Sequence, residues 1–453
     1  MKVTHSLALG NSSGIVLASN TALQLEGNVA IGSIPLTLRY NGVANTDGAL
    51  RSLSGNNTYA GDITLAASSR IQADAGTLTL SGTIARDSGS RALDFYVHSN
   101  AHIIVSGTIG ALGTGEVEKY LTGVLTLSGN NTFTSGLNIN NGTVYLTSIA
   151  NSNVPSAAGA GGVIRLGLGT TSGTLVYIGN GDSSDRRFEI GDNISGTART
   201  GAGTIQNDGT GPLVFTNPSF NITNRNTSTA PLRFLTLSGS NADANEIQGI
   251  IANNGINTAI GLRKEGTGRW ILSGQNTYTG PTIVNSGTLV VNGAILNSFV
   301  TNNVFGTIAG TGFVANLTII SGTLSPGTSV GTLTAGNLTL LGTPTLHFEL
   351  GPTNASDLVV VNGTLSFSNM ETNWFLFSAL PGFGLGTYTL FDAGSLAGTL
   401  GPGTNFINIG GSGYDGYLFL EGTDGKLEGV PETSTAALVA TGLAILLVLR
   451  RRR

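Results

Sequence analysis

The densest set of ionisable side chains in this sequence is GDSSDRRFEIGD at residues 181–192, which places Asp182, Asp185, Glu189 and Asp192 around Arg186 and Arg187. Clustered acids beside a base could move a proton to or from a reacting sugar, and acids alone could hold calcium or a sugar hydroxyl. The spacing alternates poorly for convergence on one atom, and opposite charges side by side on a turn serve to solvate a corner. Asp182, Asp185, Glu189 and Asp192 are therefore ligand candidates, and no residue is assigned a catalytic role. His98 and His102 stand four apart in HSNAH, without the central glutamate of a zinc-protease helix. Their flanks read as strand, where two such side chains share a face about 13 Å apart, too far for one ion. GNSSG at 10–14 has the form of a nucleophile elbow and GSGYDG at 411–416 that of a dinucleotide loop. The first lacks a strand before it and a helix after it, and the second leads into the strand YLFL where a helix N-terminus must receive the phosphate. No metal or cofactor is expected.

Composition narrows the classes further. Charged residues make up 10% of the 453, against about 25% in ordinary globular chains, and glycine occupies 68 positions. Mean hydropathy is +0.19, which points to an exported destination. Cysteine is absent, so disulfides, thiolate nucleophiles and cysteine metal sites are excluded. A net charge of −4 and four lysines leave no electrostatic footprint for nucleic acid outside a terminal arginine run.

The elements that must carry any site repeat themselves. LSGNNTY begins at Leu53, LSGNNTF at Leu127 and LSGQNTY at Leu272, offsets of 74 and 145 residues. A unit of about 24 residues fits three times into the first offset and six into the second, which is one coil of a β-solenoid, with about 17 or 18 coils in all. Gly-Thr followed by an aliphatic residue recurs, for instance at Gly76, Gly82, Gly142, Gly173 and Gly203. Glycine turns a corner and threonine opens a strand, and runs such as Thr77-Leu78-Thr79-Leu80 alternate with the period of a half-buried strand. The offset of 145 also matches Asn131 to Asn276, Phe133 to Tyr278 and Gly142-Thr143-Val144 to Gly287-Thr288-Leu289. The recurring asparagines could stack as amide ladders or satisfy turn backbone, and burial is expected for most of Tyr59, Trp270 and Tyr278. The fold class is all-β, a parallel β-solenoid over 1–361 with a β-rich continuation or cap over 362–429.

Residues 430–453 form a separate element. Val430, Pro431, Glu432, Thr433, Ser434 and Thr435 precede an apolar run at 436–449 and the four arginines Arg450, Arg451, Arg452 and Arg453. Fourteen residues of helix span roughly 21 Å, short of the ~30 Å hydrocarbon core, so a marginal transmembrane helix is expected. The arginines would lie on the cytoplasmic side and the body of the protein outside the inner membrane. Residues 1–20 lack an adequate apolar region for a signal peptide, and a leader upstream is expected.

Two resemblances follow from these words. Residues 430–453 resemble the PEP-CTERM sorting signal of Gram-negative bacteria, with Thr433 where that family usually has a second proline. The resemblance implies recognition and cleavage by an exosortase, a transient inner-membrane intermediate, and release to the cell surface or extracellular matrix. LTLSGNNTFTSGLNINNGTVYL and LRKEGTGRWILSGQNTYTGPTIVNSGTLVVNG (262–293) resemble the autotransporter-associated β-strand repeat, which implies a right-handed parallel β-helix and no defined chemistry. Residues 362–429 offer too few amphipathic strands for an outer-membrane barrel. The function expected is that of a non-enzymatic surface or matrix protein, structural or adhesive, with exopolysaccharide as an expected partner. The alternative is a carbohydrate-active β-helix or sugar-binding protein, which a groove of three or more carboxylates beside a lysine or arginine would favour.

Overall fold

The computed structural model describes residues 1–45, 47–191, 201–221, 232–253, 259–352, 355–401, 406–409 and 412–431. They fall into two compact units, Met1–Thr282 and Ile283–Arg453. Among the described residues all regular structure is β apart from two 3₁₀ turns, Val43–Asn45 and Thr372–Trp374.

In the first unit, short strands stack coil upon coil in parallel. One coil runs through Leu50–Ser54, Asn56–Tyr59 and Ile63–Leu65, and the next through Ser69–Ala73, Gly76–Leu80 and Ile84–Arg86. Each strand pairs with its counterpart one coil away, Leu50 against Ile71, Thr77 against Asn56 and Ile63 against Ile84. The alternation in the sequence decides which side chains enter. In Gly76–Leu80, Leu78 and Leu80 are buried while Thr77 and Thr79 stay half-buried outside. Registered pairing then turns single residues into inner lanes, such as Leu93, Val117, Leu137, Ile164 and Phe188. No coil can cover its apolar face alone; stacking covers it and pairs the backbone together.

The expectation of a constant unit near 24 residues gives way to variable coils. Gly76 pairs with Ala101, Val124 with Thr143 and Gly142 with Gly173, so one turn takes 25, 19 or 31 residues. Only the strands must match between neighbours, and the corners absorb the difference. The three LSG words consequently fall out of phase with the coil. Leu53 lies in a strand paired with Leu23–Glu26 and Ser69–Ala73, Leu127 in one paired with Ala101–Val105 and Gly142–Leu146, and Leu272 in one paired with Asn245–Ile247. These are three different strand columns.

One corner column shows why glycine is so abundant. A Cβ on Gly82 would lie 2.3 Å from the Gly61 carbonyl oxygen, on Gly107 2.0 Å from that of Gly82, and on Gly129 2.1 Å from that of Gly107. Each glycine leaves the space that the backbone of the coil below occupies.

The second unit continues the parallel habit with longer strands, among them Ala294–Gly310, Phe313–Ile320, Thr332–Leu341, Leu358–Met370 and Gly386–Leu400. Each pairs in parallel with the next, so this pattern runs past residue 361 to residue 400. The direction then reverses. Tyr414–Glu421 and Asp424–Pro431 form an antiparallel hairpin, and Asp424–Pro431 lies antiparallel along Gly386–Leu400. Val430 and Pro431 end that last strand. Glu432, Thr433, Ser434, Thr435, the helix expected over 436–449 and Arg450 to Arg453 lie outside the described residues. Among the described residues no helix is long and apolar enough to cross a membrane.

Candidate binding surfaces

The strands Asp182–Ser184 and Arg187–Ile190 place the acids of residues 181–192. The carboxylate of Asp182 accepts the Ile149 amide at 3.0 Å and the Tyr177 hydroxyl at 2.9 Å. Burial, followed by that bond to Asp182, pushes the Tyr177 hydroxyl well above the usual tyrosine range. Asp185 accepts the Ser152 amide at 2.6 Å and its hydroxyl at 3.0 Å. Next in the chain, Arg186 is fully buried and donates to the carbonyls of Ala150 and Gly159 at 2.8 and 2.7 Å, and to that of Gly161. These groups fasten residues 149–161 to the coil above. Glu189 points elsewhere, to Arg165, and Asp192 lies outside the described residues. The sequence cluster is thus divided between a pinned loop and an outer strand face.

That face, on the column holding Leu93–Val97, Val117–Tyr120, Leu137–Ile139 and Val163–Leu166, carries a ladder of charged and polar side chains. Register places Arg70, Asp94, Glu118, Asn138, Arg165 and Glu189 one above another. Arg165 bridges Glu116 and Glu189, while Glu118 accepts the Tyr120 hydroxyl at 2.7 Å and the Asn140 amide at 2.8 Å. Tyr96 and Tyr120 stack with centroids 4.7 Å apart, and the Arg70 guanidinium sits 3.6 Å over Tyr96. Burial and then the neighbouring Glu118 push the Asp94 carboxyl up to about 6. Three carboxylates beside an arginine are the grouping that would favour a carbohydrate-active reading, yet Glu116, Glu118 and Glu189 each hold a structural partner here.

The remaining sequence candidates separate. His98 sits in the turn after Leu93–Val97, exposed and 3.8 Å from Asp74, whereas His102 lies on Ala101–Val105 with Nε2 2.8 Å from the Thr126 hydroxyl. The expectation that they share one strand face fails because a corner intervenes. Residues 10–14 are exposed, with turns before them and the two-residue strand Ile15–Val16 rather than a helix after them, and the Ser12 hydroxyl donates to the Leu9 carbonyl at 2.5 Å. Gly413 leads directly into Tyr414–Glu421. Among the described residues no three histidine or acidic side chains converge to hold a metal.

The repeated asparagines prove to be backbone partners. Asn57, Asn131 and Asn276 are buried, and their side-chain oxygens accept the amides of Val29, Ile109 and Ile251, each a coil below, at 2.8, 2.7 and 3.0 Å. Tyr59, Trp270 and Tyr278 are fully buried. A second repeated device escaped the sequence reading. Lys119 and Lys264 stand 145 residues apart in inner lanes, over Phe95 and Leu237. Lys119 Nζ donates to the carbonyls of Tyr120, Leu121 and Asn141 at 2.9, 2.6 and 3.2 Å, and Lys264 Nζ to those of Glu265 and Gly266 at 2.7 and 3.0 Å. Two residues beyond each lysine the backbone is left-handed, φ 66° at Leu121 and 67° at Gly266. Burial lowers Lys119 to about 7 and Lys264 to about 8. The shared offset in a chain of four lysines was the available signal.

Against known proteins, the Passenger-associated-transport-repeat model matches residues 52–67, 122–146 and 262–291. The chain carries this repeat in those three stretches, which include the LSG words and Lys264. Over 286 residues, 58% of its length, the chain is 34% identical to the adhesin BmaC autotransporter of Brucella suis. Over 83 residues, 18% of its length, it is 39% identical to an extracellular serine protease of Serratia marcescens. The chain spans 8% of the length of each of these two relatives. Among solved structures, the Hap adhesin of Haemophilus influenzae aligns with 90% of this chain and 64% of its own, at 11% identity and a TM-score of 0.25. At that score the two backbones do not superpose as wholes.

Proposed function

We propose that this protein is a non-enzymatic, exported adhesive protein of the cell surface or extracellular matrix. The observation that carries the reading is the 286-residue likeness to an autotransporter adhesin, in a chain whose Asp182, Asp185 and Glu189 are tied to structural partners. The coils wind right-handed in this reading. Val430, Pro431, Glu432, Thr433, Ser434 and Thr435 form an exosortase sorting motif, 436–449 anchors the chain briefly in the inner membrane, and the terminal arginines hold the cytoplasmic side until cleavage. Exopolysaccharide is the expected partner, in a biofilm-forming Gram-negative host.

Two measurements test the proposal separately. In a host with an exosortase, a reporter ending in 430–453 loses its tail by mass, and a persistent tail removes the sorting part. Deletion of the gene lowers attachment of whole cells, and unchanged attachment removes the adhesive part. A second reading, a carbohydrate-active enzyme, draws on Asp94, raised to about 6 beside Glu118 on the neighbouring strand. Release of reducing ends from polysaccharide by the purified chain, abolished by Asp94→Asn, would favour it.

A further inference from the structure

The chain between Leu36–Leu38 and Leu50–Ser54 is long, whereas residues 66–68 suffice one coil further on. With the corner before Leu23–Glu26, it leaves an open cavity of about 380 Å³ lined by Ser19, Asn20, Tyr40, Gly42 and Ala44. This is near the lower end of the roughly 300–1,000 Å³ of small-molecule sites and suits one sugar ring.

Three observations distinguish this cavity. Seven non-glycine residues among those described have left-handed backbone, and three of them, Asn20 (φ 65°), Tyr40 (62°) and Ala44 (51°), line it. That conformation is unfavourable for any residue with a Cβ, and strain gathered in one place is a feature of ligand sites. Tyr40 is also the one exposed tyrosine among the described residues, with 53% of its surface open. Tyr96 and Tyr120 are only half-exposed and each covers one face of the other, and Arg70 covers Tyr96 as well. Finally, among the described residues the lining holds no charge. The Asn20 side-chain oxygen is held by the Ala44 amide at 2.5 Å, which fixes the orientation of its NH₂ group, and Ser19 lines the same cavity.

We infer that this cavity binds a neutral hexose unit of a glycan, stacked on Tyr40 and hydrogen-bonded by Asn20 and Ser19. A pyranose offers an apolar C–H face to an aromatic ring and vicinal hydroxyls to an amide and a hydroxyl. Without a cation in the lining, a uronic acid gains nothing over the neutral sugar. The inference deepens the adhesive reading by naming its ligand class, and it is measured on the purified full chain, where neither export nor sorting enters.

Calorimetric titration with neutral hexose oligomers (β-1,4-gluco, α-1,4-gluco and α-manno hexasaccharides), and with oligogalacturonate as the acidic counterpart, tests it. At least one neutral oligomer binds, and oligogalacturonate binds at least tenfold more weakly. Tyr40→Phe keeps affinity within about threefold, whereas Tyr40→Gly, which suits the left-handed backbone, and Tyr40→Ala lose at least tenfold. Asn20→Gly, equally compatible with the backbone, weakens binding several-fold. Circular dichroism and melting of each variant report folding independently. Absence of binding to every neutral oligomer, equal affinity of Tyr40→Gly, or preference for oligogalacturonate overturns the inference, while whole-cell attachment decides the adhesive reading by itself.

Discussion

Asn131 illustrates how one side chain fixes a coil to its neighbour. Its oxygen takes the Ile109 amide and its NH₂ donates to the Ala157 carbonyl at 2.9 Å, so removing it leaves two buried backbone groups without partners. Asn131→Ala should destabilise folding by about 2 kcal/mol, measured by denaturant unfolding, and exposed Asn130→Ala by less than about 0.5 kcal/mol. Lys119 makes a prediction in pH. The unfolded chain keeps this lysine protonated up to about 10.5, while burial lowers it to about 7 in the fold. Between those values the unfolded state holds the extra proton, so raising pH favours the folded state, and below about 7 the fold carries a buried charge. The thermal midpoint should therefore climb from pH 7 toward pH 10, and Lys119→Met should flatten part of that slope. Equal slopes in the two proteins would refute it. The recurrence of Asn131 and Asn276 is readable in the sequence, and so is that of Lys119 and Lys264, but neither shows whether a side chain turns inward. Tyr40 carries no repeat or motif at all; its exposure depends on the length of its corner.

Strands were the most legible elements. Threonine and leucine alternate in Thr77-Leu78-Thr79-Leu80 because one face must be dry, and the burial follows that alternation. Gly142, Gly173 and Gly203 open strands in register with one another, as the Gly-Thr punctuation implies. Corners were less legible. The same Gly-Thr word at Gly107 marks a tight backbone approach, and at Gly306 it falls inside Ala294–Gly310. Gly107→Ala should cost about 1–3 kcal/mol, because a Cβ there meets the carbonyl of Gly82 and the corner must shift. Gly10→Ala, where a Cβ meets nothing within 4 Å, tests backbone conformation alone and should cost less. A melting-temperature series on the two variants separates these effects.

At the scale of the whole molecule, nearest-neighbour contact makes coil length negotiable. Register alone links successive strands, so a deletion is tolerated when it returns the chain to the same place on the next coil. Removing residues 76–100 brings Ala101 to the position of Gly76, its register partner, and this variant should fold with native strand content by circular dichroism. Removing residues 76–87 joins mismatched walls and should abolish cooperative unfolding. The constant period read from offsets of 74 and 145 was misleading for the same reason: corners of 19-residue and 31-residue coils differ while the strands do not. Sites set on corners, such as that around Tyr40, are accordingly the hardest to foresee.

The hairpin over Tyr414–Glu421 and Asp424–Pro431 bears on a hazard inherent in parallel stacking. A finished coil presents hydrogen-bonding groups that would template a stranger's strand, which is how fibrils lengthen. Asp424–Pro431 runs against Gly386–Leu400 and occupies that edge over Gly386 to Phe391, so an incoming strand finds those backbone groups already paired, and in the wrong direction for another parallel coil.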